Sequence, residues 1–301
     1  PRPDSTWAEW QYYNVVTAPD EWWYITYLVG GEVPAGRWGG RVLATHRRAD
    51  GGYERFTSEA PGTAGMFDTT RADLTIGSSE VRQRDGSYAL HARASGDAGV
   101  ATIDLAVRPV PDRFFPPVEL REEALLSGYV VPALAASASG TICVGGRCRT
   151  VHGVPAYHDH NWGVWRDVTW EWGAASGLRT SVLYGGVRAG EDGGSPFFLS
   201  LVDSLGVRQV LRFSSIEYRG SRPTAGLPGV RAPRSFSMVA SRLADTVHLE
   251  VDVADALASR AGVGGMQRAF LQMRGSFTIQ GKVDGVALAD TGQGFFETYV
   301  Q

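Results

Sequence analysis

Thr102-Ile103-Asp104-Leu105-Ala106-Val107-Arg108 sets Ile103, Leu105 and Val107 at every second position, with Thr102, Asp104, Ala106 and Arg108 between them. A period of two turns one set of side chains to each side of an extended chain, so the segment reads as a half-buried antiparallel strand. Val247-His248-Leu249-Glu250-Val251-Asp252-Val253 repeats the pattern late in the chain. Between such runs stand two-residue turn signals, Asp85-Gly86, Gly145-Gly146 and Asp284-Gly285, as a meander of hairpins requires. This predicts an all-β protein of sandwich or barrel type. Only two short helices are expected, around Leu120–Leu126 and Asp255–Ala261.

The chain has 301 residues, and single cores stop growing at roughly 250 to 300, so two domains are expected. The Pro-rich stretch Arg108–Pro117 cannot be a central strand, because proline lacks the ladder donor. It closes the first run of strands. With the signals resuming from Trp170, the expected boundary lies near residue 150, giving domains 1–150 and 151–301. A Gly- and Pro-rich loop, Arg219–Arg234, divides the later half.

Net charge is −3 and the arginines are scattered among acids, which argues against a nucleic-acid partner. No apolar run reaches the roughly 20 residues of a membrane-spanning helix. The chain opens at Pro1 rather than Met, so something upstream is expected to have been removed. The Gly145-Gly146 turn faces Cys143 with Cys148, in a non-hydrogen-bonded pair whose α-carbons approach to about 4.5 Å. A cross-strand disulfide is expected there, and with it an extracytoplasmic location.

The segment Tyr157-His158-Asp159-His160-Asn161-Trp162-Gly163 breaks the strand pattern. Extended, it places Tyr157, Asp159 and Asn161 on one face and His158, His160 and Trp162 on the other. Titratable groups between apolar flanks mark functional sites. Three readings stand open: a hydrogen-bonded girdle of Asp159 with the two imidazoles, a His158–His160 metal pair lacking an evident third ligand, or Asp159 as proton donor in an apolar cavity. No metal or cofactor is assigned. Eight of the nine tryptophans fall into two groups, one before residue 24 and one from Trp162 to Trp172, as plugs of barrel ends or walls of an apolar cavity would. Tyr12, Tyr13, Tyr24 and Tyr27 crowd the first group. Glu21-Trp22-Trp23-Tyr24 is echoed by Trp170-Glu171-Trp172-Gly173, as duplicated barrels would have it.

On those two stretches, on Gly153–Gly163 and on Gly292-Gln293-Gly294-Phe295-Phe296-Glu297, the chain resembles the AttH-like and carotenoid 1,2-hydratase family. The resemblance implies two lipocalin-like barrels in tandem and an enzyme of hydratase or cyclase type, the family also including Diels-Alderase-type cyclases. It implies a hydrophobic polyene, terpenoid or polyketide-like substrate in an apolar cavity between the barrels. Asp159 would protonate the substrate with Tyr157 assisting, and His158 and His160 would stand beside them. Trp22, Trp23, Tyr24, Trp162, Trp165, Trp172 and Phe296 would line the substrate. Carotenoid hydratases also use a tryptophan upstream of the motif, where this chain has none between Trp38 and Trp162. A carrier of a lipid or terpenoid ligand is the alternative, with the motif structural.

Overall fold

The computed structural model describes residues 7–32, 35–63, 66–68, 71–121, 125–165, 168–189, 193–194, 197–263 and 266–300. These divide into two compact units, one holding the residues up to Val110 with Pro116–Trp165, the other Pro111–Phe115 with the residues beyond Trp165.

Of the strands in the first unit, eight form a ring: β1 (Trp7–Ala18), β2 (Glu21–Glu32), β3 (Arg37–Arg47), β4 (Tyr53–Pro61), β5 (Ser87–Gly96), β6 (Gly99–Pro109), β7 (Leu126–Val144) and β8 (Arg147–Val164). Each pairs antiparallel with the next, β8 pairs with β1, and a Thr57↔Ser95 bridge between β4 and β5 completes the ring. Closure removes the open edges that would otherwise template aggregation. At eight strands the interior is just wide enough for side chains to fill it or for one small ligand. The inward set here includes Tyr13, Val15, Trp23, Ile25, Tyr27, Phe56, Ile103 and Val107.

The second unit repeats the plan with β9 (Val168–Gly177), β10 (Ser181–Ala189), β11 (Phe197–Asp203), β12 (Gly206–Phe213), β13 (Ser235–Arg242), β14 (Asp245–Val263), β15 (Met266–Val283) and β16 (Val286–Val300). Successive strands pair, and β9 also pairs with β16, closing the second eight-stranded barrel. Its core includes Tyr184, Leu199, Phe236, Leu249, Met273 and Phe296. The lipocalin-like, all-β architecture is therefore present in both units.

Three expectations are corrected. No helix occurs among the described residues: Asp255–Ala261 lies inside β14, Leu120 and Arg121 end a strand over Phe115–Arg121, and Leu126 opens β7, residues 122–124 lying outside the description. The Ala-rich run in β14 is held extended by pairing with Ala261↔Arg268 through Asp255↔Arg274 of β15, which overrides its local helix preference. The division between units falls after Trp165 rather than near residue 150, because β8 runs unbroken through that point, paired with β1 on one side and β7 on the other. The Trp-rich echo is also displaced by one strand, since Glu21–Tyr24 opens the second strand of its barrel and Trp170–Gly173 lies in the first.

The turns follow their chemistry. Asp85-Gly86, Gly145-Gly146 and Asp284-Gly285 all have both residues at positive φ, the requirement of the tight hairpin turn that matches strand twist. Cys143 and Cys148 face each other across the second of these and are joined by a disulfide. No helix among the described residues is long and apolar enough to cross a membrane.

Candidate functional site

Strands β1 and β8 build the site between them. Their register sets Tyr13 opposite His158 and Tyr12 opposite Asp159. Opposite residues of an antiparallel pair share a face. Tyr13 belongs to the barrel core, so His158 points inward with it, while Tyr12, Asp159, Asn14 and Tyr157 point to the outer side of the wall. That outer face is nonetheless buried, with Asp159 3 % and Asn14 1 % exposed.

On this face the Tyr157 hydroxyl donates to Asp159 Oδ2 at 2.7 Å and the Asn161 amide donates to Oδ1 at 2.6 Å. All three side chains come from one strand, two residues apart, so the pleat itself lines them up. Such bonds become shorter and about twice as strong when the carboxyl carries a charge. Alongside, Asn14 Nδ2 donates to the Tyr12 hydroxyl at 2.9 Å, and Asn14 Oδ1 is a buried acceptor with no hydrogen-bond partner among the described residues. Rings surround the polar row. Tyr12 lies 6.4 Å from both Tyr24 and Tyr157, and Trp10, opposite Asn161, packs against Trp165 at 4.5 Å. Trp22 continues the same face, with the Arg47 guanidinium 4.8 Å above its ring.

The inward face is a different environment. His158 is fully enclosed, stacked on Tyr13 at 4.1 Å and edge-on to Tyr88 at 4.4 Å. Its Nδ1 lies 3.1 Å from the Tyr12 carbonyl oxygen, which can only accept, so Nδ1 carries the proton. Burial drives its pKa down to about 3 against the favourable pull of that hydrogen bond, so the ring is neutral. His160 meets the Glu9 carboxylate at 2.7 Å, and its ring is edge-on to Trp162. Trp162 donates to Glu119 at 3.1 Å and lies across Gly128, where a β-carbon would come within 2.2 Å of the indole. Across the wall, β7 slips register on both sides of Ala133, the residue opposite His158. Such bulges re-aim side chains, and Pro132, which cannot donate, sits within the slip.

The motif thus divides by face. Tyr157 and Asp159 stand with Trp22, Tyr24 and Trp165, whereas His158 and Trp23 fill the barrel core, and His160 and Trp162 lie on the inward side of β8. Trp172 and Phe296 belong to the second unit, Trp172 edge-on to Phe198 and Phe296 stacked on Tyr184 in the core. A girdle of Asp159 with both imidazoles does not form, because the wall of the barrel separates them. Among the described residues no group of three or more His, Cys, Asp or Glu side chains is placed to hold a metal. Asn161, Asn14 and Tyr12 join the site without having been singled out for it. The signal for the last two was present in β1, where Trp10, Tyr12 and Asn14 alternate with Gln11, Tyr13 and Val15.

No protein-family model matches the chain, and no curated relative does. Solved structures share its fold over nearly the whole length. A putative AttH from Nitrosomonas europaea superposes with a TM-score of 0.65 at 14 % identity, covering 100 % of this chain and 95 % of that one. Kievitone hydratase from Nectria haematococca gives 0.62 at 12 %, covering 97 % and 88 %. CghA with Sch210972 gives 0.65 at 9 %, covering 99 % and 88 %. The chain therefore has the tandem-barrel fold of AttH-like proteins, a fold on which a hydratase is built.

Proposed function

We propose that the chain is an enzyme that hydrates or cyclises a hydrophobic polyene, terpenoid or polyketide-like substrate, with Asp159 as its proton donor. The observation that carries this reading is the buried Asp159 carboxyl, held by two donors on a face walled with aromatic rings. When a protonated Asp159 gives its proton to a carbon–carbon double bond or a carbonyl, the Tyr157 and Asn161 bonds strengthen on the carboxylate left behind. Donors aimed at developing charge lower the barrier because they need no reorganisation. The cation formed on an alkene would face the rings of Tyr12, Tyr24, Trp10 or Trp165, an attraction worth about 2 kcal/mol once desolvated. In hydration, water then attacks the cationic carbon and returns a proton to Asp159, which closes the cycle. The open acceptor of Asn14 suits that water or a substrate hydroxyl. The hydratase among the fold's solved members supports the same reading.

Both oxygens of Asp159 are already engaged, and that favours a second reading in which the row is a structural strap of a ligand carrier. Asp159→Asn separates the two. It removes the donor and keeps the shape, so as an enzyme the protein loses about 10²- to 10⁴-fold in turnover with its melting temperature nearly unchanged. Retained turnover with a melting temperature several degrees lower would establish the strap.

A further inference from the structure

At one end of the first barrel a cavity of about 200 Å³ opens beside the disulfide-closed hairpin of β7 and β8. One side is lined by the His46 imidazole, which lies on the buried Trp23 at 4.2 Å with 7° between the planes. His46 cannot turn, because Nε2 meets Glu21 at 3.2 Å and Nδ1 meets Glu54 at 3.1 Å. One wall is aliphatic, formed by Ile142, Val144 and Val151 of the hairpin. Three guanidinium groups stand around it, those of Arg48, Arg147 and Arg149.

The carboxylates in the lining are already spoken for. Glu21 accepts from Arg149 at 2.6 Å, and Glu54 accepts from Arg48 at 3.4 Å. Partial burial works against the Glu21 carboxylate, but the hydrogen bonds from His46 and Arg149 outweigh it and hold the group below its ordinary range. Of the three arginines, Arg147 makes no ion pair or side-chain hydrogen bond among the described residues.

We propose that this cavity is a binding site for a small aromatic carboxylate, its ring against the Trp23–His46 platform and the aliphatic wall, its anion held by Arg147. The chemistry follows from the lining. A flat, rigid platform with an aliphatic side wall favours a planar apolar body, and a guanidinium without a partner favours a carboxylate, which it can hold through two parallel bonds. The volume is below the roughly 300 to 1,000 Å³ of drug-sized sites, which limits the ligand to a single ring or fused pair with a short acid arm. The Gly145-Gly146 turn and the Cys143–Cys148 bridge give the wall a fixed position, and so preorganise the site. Asp159 takes no part in it.

Calorimetric titration of the full chain with phenylacetate and with its neutral analogue phenylacetamide tests the proposal. Phenylacetate should bind saturably, and the amide about tenfold or more weaker, since only the acid engages the guanidinium. Arg147→Glu should abolish phenylacetate binding while leaving the melting temperature in place, because this hairpin-tip side chain is exposed. Asp159→Asn should bind phenylacetate as the wild type does. Equal affinity for acid and amide, undiminished binding by Arg147→Glu, or no saturable binding of phenylacetate, benzoate or indole-3-acetate would each overturn it.

Discussion

Each barrel carries a phenol bonded to a buried carboxyl, on opposite sides of its wall. In the first, Tyr157 meets Asp159 at 2.7 Å on the outer face of β8. In the second, Tyr218 meets Glu171 at 2.6 Å on the inner face of β9, since Glu171 shares its side of the strand with Ala175 of the core. Burial raises the Glu171 carboxyl, and its hydrogen bonds from Tyr218 and Thr298 only partly offset that. Tyr184, stacked on Phe296 and edge-on to Phe236, fills the space nearby. The same chemical pair thus joins a buried carboxyl on the core side of the wall to a part-exposed phenol in one barrel and forms a candidate site in the other. The difference teaches that a carboxyl–phenol pair says little by itself, and that the side of the wall decides what it can reach.

The largest expected effect breaks or keeps this comparison directly. Asp159→Asn should lower turnover by about 10²- to 10⁴-fold, while Glu171→Gln, which keeps an acceptor for Tyr218, should leave turnover in place. Equal losses in steady-state assays of the two variants would erase the distinction between the faces.

Acid sharpens it next. His158 is held neutral in the folded barrel down to about pH 3, whereas the unfolded chain takes up that proton near pH 6.5. Stability is therefore lost as pH falls between those values, by at most about 1.4 kcal/mol per pH unit. Glu171 acts with the opposite sign. Its folded carboxyl binds the proton more tightly than the unfolded one, so its contribution is full at low pH and is lost as pH rises through the raised pKa. Urea unfolding across the acid range should show the first slope flattened in His158→Phe and the second flattened in Glu171→Gln. Unchanged slopes in both variants would mean that other groups carry the pH dependence.

The smallest effect concerns the hairpin ends. The β7–β8 hairpin of the first barrel is closed by Cys143–Cys148, whereas the β15–β16 hairpin of the second turns on Asp284-Gly285 with Val283 opposite Val286. The loop closed by the bridge spans only five residues in sequence separation, so the stabilisation belongs at the low end of the usual range, about 2 kcal/mol. Replacing both cysteines by serine should lower the unfolding free energy by that amount, with no change in turnover. A loss of several times that size would show that the bridge holds more than its own hairpin.

Much of this was legible along the chain. The three Gly-containing turns, the pairing of the cysteines and the separation of Tyr157, Asp159 and Asn161 from the intervening histidines all follow from turn chemistry and a period of two. The Ala-rich stretch of β14 was not legible, because its small side chains carry no strand pattern and only β15 holds it extended. Nor was the unit boundary, since β8 gains its meaning from β1, roughly 145 residues earlier in sequence.

By itself, then, the sequence determined which side chains share a face, because alternation is a local property of an extended backbone. Only the tertiary structure decided which face looks into the barrel. That choice depends on closure of the whole ring, on Tyr13 being drawn into the core with His158 beside it. Asp159 was left on the far side, buried, with two donors to hold it.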